Sequence, residues 1–459
     1  MRTRAALLAV SFSVLFLHSS LVFAQHGGLD DQAYRSEVLQ KVANLLESKY
    51  VLADKAKEFA DEFRVKCASG AYDSCTAAGD FAARVTGDLI AVTGDKHLSL
   101  RVIVPSEVGE KAESPLHHPI RYYHLRLKEN AGFYKLEWIE PRIGYVDLRR
   151  FYSFGEAREM ALAAMTFLAN ANAIIIDVRE NGGGSGDYLS SYFLPYPTQL
   201  SSSVSREGGA IEEFWTLGNI GMEPRVDVPL FVLTGPNTFS AAESFAYDLQ
   251  SRKRATIVGE PTKGGAHSVD LFPIDDTFEF MISTSRAVSP VTGGNWEGTG
   301  VIPDVVVSSE AALDTALAEA KRAAGAYGHG NDERLKKAVE KMQIHADKAV
   351  RLYREGRDES AGAALDSLFQ VAAKAGLLSE FFVDVFAYNF QAPEDEKLLF
   401  AILKKNTEVF SDSPSAFERL ASIAQSRGDN ELALQNYRKV LELDPGNRRA
   451  AKMIKALQK

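Results

Sequence analysis

The chain has 459 residues, 46% of them hydrophobic and 25% charged, which is the composition of globular protein and excludes a disordered or fibrous chain. At roughly 100–200 residues per domain, that length predicts two to four domains. The 52 Lys and Arg against 61 Asp and Glu give a net charge of −9, and no Lys/Arg-rich run appears, so nucleic acid is not an expected partner.

The first 24 residues, MRTRAALLAVSFSVLFLHSSLVFA, carry two arginines, then a short apolar stretch, then a small residue before Gln25. This is the layout of a secretory signal cleaved after Ala24, with an apolar core too short and Ser-interrupted to anchor the chain. The expectation is an exported protein, periplasmic or extracellular, with no membrane span after signal removal. Without Arg2 and Arg4 the mature chain has 50 basic and 61 acidic residues, or −11.

Residues 25–98 are expected to form a helical module, with Val38, Val42, Leu45 and Leu46 on one helical face. Cys67 and Cys75, in CASGAYDSC, are the only cysteines. In an oxidising compartment they could close a local disulfide, or they could stay two thiols. Two cysteines cannot build a structural zinc site, and the nine histidines show no metal-ligand spacing, so neither metal nor cofactor is expected.

From 99 to 139 the period changes to two in LSLRVIV, IRYYHLRL and FYKLEWI. Asn130 and Gly132 between the last two predict a hairpin. From 143 strands and helices alternate: IGYVDL, the helix GEAREMALAAMTFLAN, AIIIDV, a Gly-rich loop, PLFVLT, a helix near Ser240, and RATIVG. Apolar strands flanked by helices imply an α/β core over 99–308, with ligands beyond the strand ends at RENGGGSG and GPNTFS.

Residues 309–459 read as all helical. In 414–446, Phe417, Leu420, Ala421, Ala424, Gly428, Ala433, Tyr437 and Pro445 fall where a tetratricopeptide repeat has its signature residues, and the stretch resembles one. One repeat cannot bury its face alone, so neighbouring helices are expected to stack on it and to offer a surface for a protein partner.

Two segments could carry chemistry. Ser240 lies three residues before Glu243 in NTFSAAESFAYDL, a spacing that on its own reads first as a capping box and only second as a place for a nucleophile. The glycines of IIIDVRENGGG follow a strand, where backbone N–H groups can approach a developing oxyanion. No Gly-Lys-Ser/Thr follows them, so they do not form a phosphate loop.

Three segments, DVRENGGGSGDYLSSYF, VPLFVLTGPNTFSAAESFAYDLQSRKRATIVGEPTKGGAH and PVTGGNWEGTGVIPDVVV, resemble the signatures of the tail-specific (C-terminal processing) S41 serine peptidases. The likeness spans roughly 35 to 307, and NLLESKYVLADKA followed by TGDKHLSL resembles the branch with tricorn protease and the interphotoreceptor retinoid-binding proteins. It implies a ClpP/crotonase-like peptidase core between an N-terminal helical module and a C-terminal all-α helical repeat domain. It further implies Ser240 as nucleophile, His97 as base, Glu297 as the group completing the relay, and an oxyanion hole from Ala241 with Gly182 or Gly183.

Serine is a poor nucleophile unless a base takes its proton and a third group orients that base, so these roles are chemically coherent. If Asn237 or Thr238 caps the helix, Ser240 is released to face the cleft. Two departures stand out: the lysine of the family's Ser–Lys branch would fall 25 residues after the serine, at Gly265, and Lys96 replaces a serine of the tricorn type. Only about 45 residues separate His97 from IGYVDL, too few for a PDZ domain. The implied function is a peptidase acting on peptides or unfolded segments. Its rivals are a non-catalytic binding protein for an apolar small molecule or peptide, and a scaffold that works through its repeats.

Overall fold

Three isoleucines in a row, Ile174 to Ile176, are fully buried, which a strand achieves only when both faces of its sheet are covered. They belong to the computed structural model, which describes residues 29–103, 117–206, 209 and 211–458. The expected signal segment, 1–24, lies outside the described residues.

In chain order the first compact unit holds α1 (Gln32–Lys49), α2 (Ala53–Ala68), α3 (Ala78–Thr93), β1 (Ser99–Val102), α4 (His117–Lys128), β2 (Phe133–Glu140), β3 (Ile143–Leu148), α5 (Phe154–Phe167) and β4 (Ala173–Asp177). It continues with β5 (Gln199–Ser205), β6 (Ile211–Trp215), β7 (Leu230–Thr234), α6 (Ala241–Ser251), β8 (Thr256–Gly259), β9 (His267–Pro273), β10 (Phe278–Val288), β11 (Val305–Val306) and the start of α7 (Ser309–Arg354).

Two sheets result. The larger has the order β11-β8-β7-β4-β3-β2, parallel except where β2 pairs antiparallel with β3. Ala312, Ala316, Ala320 and Ala324 of α7 recur every fourth residue and pack with Tyr145, Ile175, Phe231 and Leu233. This small-residue stripe lets the helix lie close on the strands, and for this reason the first unit runs on to Ala324. The second sheet has the order β1-β10-β5-β6, with β9 also pairing with β10. Against it pack α1 to α3, whose Val42, Leu46, Phe63, Phe81 and Leu89 share one core with Phe278, Phe280 and Ile282.

The hairpin expected from IRYYHLRL and FYKLEWI is not formed. Residues 117–128 are α4, and β2 takes β3 as its partner with Leu136 opposite Val146. The segment satisfies both periods, since its half-buried positions Tyr122, Leu125, Arg126 and Glu129 lie at i, i+3, i+4 and i+7. Nor is the disulfide formed: Cys67 and Cys75 are separate thiols that pack as apolar groups in the N-terminal core, and burial pushes the Cys67 thiol up to about 11.

The second unit, Gly325–Lys459, is helical. The remainder of α7 is followed by α8 (Asp358–Lys374), α9 (Glu380–Tyr388), α10 (Glu396–Val409), α11 (Pro414–Ser426), α12 (Asn430–Leu443) and α13 (Arg448–Leu457). The helix pair of the repeat-like stretch is α11 and α12, where Ala421, Ala424, Ala433, Tyr437 and Val440 join Ala450 of α13 in one core. Among the described residues no helix is long and apolar enough to cross a membrane.

The middle of β4 is the most sensitive part of this packing. Ile175→Ala is expected to lower the stability of the full-length protein by about 2–5 kcal/mol, measured by denaturant unfolding.

Candidate active site

The turn between β7 and α6 is fixed by its own side chains. Thr238 Oγ1 donates to the Val178 carbonyl at 2.8 Å and accepts from Gly235 N–H at 3.0 Å, and Phe239 N–H donates to the Asn181 carbonyl at 3.0 Å. Neither Asn237 nor Thr238 caps α6, because Asn237 reaches Glu180 instead. The N-cap is Ser240 itself, held at φ 54°, ψ −118°. A non-glycine residue there carries strain of order 1–3 kcal/mol, and such sharp strand-to-helix turns present a side chain at the end of a sheet.

The restraint that keeps Ser240 in this conformation is Glu243. Its carboxylate is fully buried and accepts from Ser240 N–H at 2.8 Å, Gly265 N–H at 2.8 Å, Gly264 N–H at 2.6 Å and Thr262 Oγ1 at 2.5 Å. Burial raises its pKa, and these donors work the other way. The capping-box glutamate thus ties the start of α6 to the loop Thr262–Gly265.

That loop sets the position of His97. A Cβ on Gly265 would lie 2.6 Å from His97 Cε1 and 2.2 Å from Phe239 Cε2, so only glycine leaves room for the imidazole. His97 is 4% exposed, its ring lies over Phe239 with centroids 4.3 Å apart, and neither ring nitrogen has a hydrogen-bond partner. Burial in this apolar slot lowers its pKa to about 4, with Asp95 opposing the shift. The ring is therefore neutral at physiological pH and able to accept a proton.

Behind His97 stands an arrangement that sequence reasoning missed. Asp95, 1% exposed, accepts from His97 N–H at 2.9 Å through Oδ1, which also lies 3.9 Å from His97 Nδ1. Its Oδ2 is 2.7 Å from His267 Nδ1. Burial is the largest influence and works against the charge on both partners. Their mutual hydrogen bond and charge attraction, with other contacts, together outweigh it, lowering the Asp95 pKa and raising that of His267. The available signals were the Asp two residues ahead of the histidine in GDKH and the histidine closing TKGGAH.

Glu297 reaches this cluster but does not meet His97. Its Oε2 accepts from Ala266 N–H at 2.5 Å and lies 3.7 Å from His267 Nδ1. Burial and then the Asp95 charge raise its pKa, while His267 lowers it. Asp95, His267 and Glu297 each bring a ligand atom within 4.8 Å of the others, close enough to hold a small cation, although distant in sequence.

The glycine loop approaches Ser240 from the other side. Gly183 has φ 93°, and a Cβ there would sit 2.8 Å from Ser240 Cβ and 3.0 Å from Ala241 N. Its N–H donates to Asn181 Oδ1 at 2.8 Å. Gly182 lies exposed along a cavity shared with Ser240 and His97, and Ala241 opens α6, where N–H groups lack intrahelical acceptors. Lys96 Nζ donates to the Lys263 carbonyl, and Lys263 Nζ stands 4.7 Å from the Phe239 ring centre.

Two cavities meet at Ser240 and His97. One, of about 370 Å³, includes Asp187, Ser244, Asp248, His267 and Trp296 in its lining; the other includes Arg101, Arg149 and Arg150. The first is large enough for a side chain.

Comparison with known proteins places these residues within two family models. Residues 142–307 match peptidase family S41, and residues 32–132 match the N-terminal domain of Peptidase_S41 in eukaryotic IRBP. A carboxyl-terminal-processing protease of Synechocystis sp. is 32% identical over 169 residues, covering 36% of this chain and 38% of that protein. One of Picosynechococcus sp. is 28% identical over 172 residues, covering 37% and 40%. The matched part thus spans two-fifths or less of the length of these relatives. Among solved structures, a lipoprotein from Streptococcus agalactiae aligns over 63% of this chain and 96% of its own, at 13% identity and a TM-score of 0.43.

Glu243 should matter to folding more than any other acid in the site. Glu243→Ala leaves three backbone N–H groups without their acceptor, at about 1–3 kcal/mol for each that stays buried. Thermal unfolding should show a larger loss of stability than for Glu243→Gln, which keeps one carbonyl acceptor.

Proposed function

The chain is a member of peptidase family S41, and we propose on that basis that it is a serine peptidase whose nucleophile is Ser240. The observation that carries this reading is the pairing of a strained serine at the N-terminus of α6 with a buried histidine whose ring nitrogens have no partner, both lining one cavity. In this mechanism a peptide carbonyl enters between Ser240 and the glycine loop. His97 takes the hydroxyl proton as Ser240 Oγ attacks, and the tetrahedral oxyanion forms near Ala241 N–H at the positive end of the helix. Gly182 N–H would be the second donor; Gly183 N–H would serve only after leaving Asn181.

His97 then passes its proton to the leaving amine, the acyl-enzyme forms, and water repeats the sequence in reverse. The cation that forms on His97 needs a counter-charge, and Asp95 is the acid beside it, 3.9 Å from Nδ1. A shift of under 1 Å would close that gap, within the adjustment expected between free and substrate-bound sites. Glu297 acts one group further back, through His267, and so serves a positioning role. Substrates would be peptides or unfolded protein segments. The layout of residues 1–24 supports export, and the helix pair α11–α12 would hold a protein partner.

A fluorophosphonate probe is expected to label the full-length mature protein at Ser240, located by mass spectrometry. Ser240→Ala should abolish the adduct, and His97→Ala should slow labelling by about 10²–10⁴-fold, the usual contribution of a general base. Absence of labelling, where a known serine hydrolase reacts, would overturn the peptidase reading in favour of a binding cleft.

The pH dependence follows from the lowered pKa of His97, about 4. A base must be unprotonated, so labelling should persist as pH falls and drop only as it approaches that value. A half-maximal rate near the ordinary histidine value of about 6.5 would assign the proton transfer to another group.

A further inference from the structure

The cavity on the α6 side of Ser240 has an unusual charge pattern. Ser244 and Asp248 follow Ser240 by four and eight residues and so lie on one stripe of α6, about 6 and 12 Å along the axis. Asp187, from the glycine loop, lines the same cavity, and among the described residues no lysine or arginine does. The carboxylates have few partners. Asp187 accepts from Ser190 N–H at 3.0 Å and from the Ser190 hydroxyl. Asp248 faces Ser244 Oγ at 3.3 Å and Arg252 Nη1 at 3.0 Å. Arg252 also donates through Nη2 to the carbonyls of Gln199 and Leu200. Arg252, partly committed to backbone, is thus the ion-pair partner of Asp248, and only its charge, not a contact, acts on Asp187.

A second observation is that the buried and unpartnered His97 ring lines the same cavity. The cavity is a place where a bound group would meet the reacting residues. Resting on the peptidase reading above, we propose that it is a specificity pocket for a cationic substrate side chain, lysine or arginine, on the residue flanking the scissile bond. Asp187 and Asp248 supply the counter-charge, Ser244 a hydrogen-bond acceptor, and Trp296 and Phe214 a surface for the aliphatic stem. The reach from Ser240 to the acids suits the two longest natural side chains. Burial raises the pKa of Asp187 to about 6, and burial followed by the Asp187 charge raises that of Asp248 to about 8, despite Arg252. An incoming cation relieves both effects.

The test uses full-length Ser240→Ala protein, so that binding is read without turnover. Calorimetric titration compares blocked pentapeptides that differ at one position: lysine, arginine, norleucine or leucine. Lysine and arginine peptides are expected to bind about tenfold tighter or more than norleucine, which has a stem of similar length without the charge. Asp187→Asn and Asp248→Asn, each checked for native circular dichroism, should reduce that ratio to within about threefold. Equal or tighter binding of norleucine, a preference that survives both substitutions, or no binding by any peptide would overturn the proposal. Failure of the peptidase reading shows separately, as absence of fluorophosphonate labelling in the unmodified protein.

Discussion

The site depends on the carboxylate of Glu243. A serine at positive φ does not stay there unaided, and the loop Thr262–Gly265 has no regular secondary structure to hold it. One buried acid accepts from both, so the angle of Ser240 and the path of Gly265 are set by the same atoms. Because Gly265 in turn leaves the space that His97 fills, a helix cap extends its influence to the candidate base. Ser240 at the helix start is thus a cap and the candidate nucleophile at once, and the capping interaction that matters runs from its backbone.

The electrostatics divide into two zones. Around His97 burial outweighs the nearby Asp95 charge and holds the imidazole neutral. One residue further back, Asp95 and His267 form a close pair in which the charged states are favoured in spite of burial. This separation keeps the acceptor and the charge reserve on different residues, so the reserve does not protonate the acceptor in advance. Environment thus moves the pKa values of two histidines in one site in opposite directions, the pattern found where acid and base chemistry coexist.

Much of the core was legible in the sequence, because runs such as 173–176 and 230–233 are apolar throughout and are buried on both sides. The turn at Ser240 and the glycine loop were legible as loops at the strand ends for a different reason: their patterns are local, within stretches of a few residues. The segment 117–128 was not, since its apolar residues fit a strand and a helix equally and only packing decides. The relay behind His97 was not legible either. Glu297 belongs to the cluster, but its link to His97 passes through His267 and Asp95, and sequence gives no measure of which acid lies nearer which ring. Cys67 and Cys75 carried two readings, and separate seats in the core keep them apart as thiols.

The pairing of β1 with β10 has a consequence for biosynthesis. Ser99, two residues after His97, lies opposite Met281, so the strand that anchors His97 lacks the partner it has among the described residues until the ribosome has made β10. Ser240 and Gly183 are translated earlier, yet Glu243 cannot tie the turn until Gly265 exists. The reactive constellation therefore closes late, after most of the first unit has been synthesised. The residues gathered around Ser240 and His97 thus come together through pairings between separate stretches of the first unit, rather than through contacts local to either one.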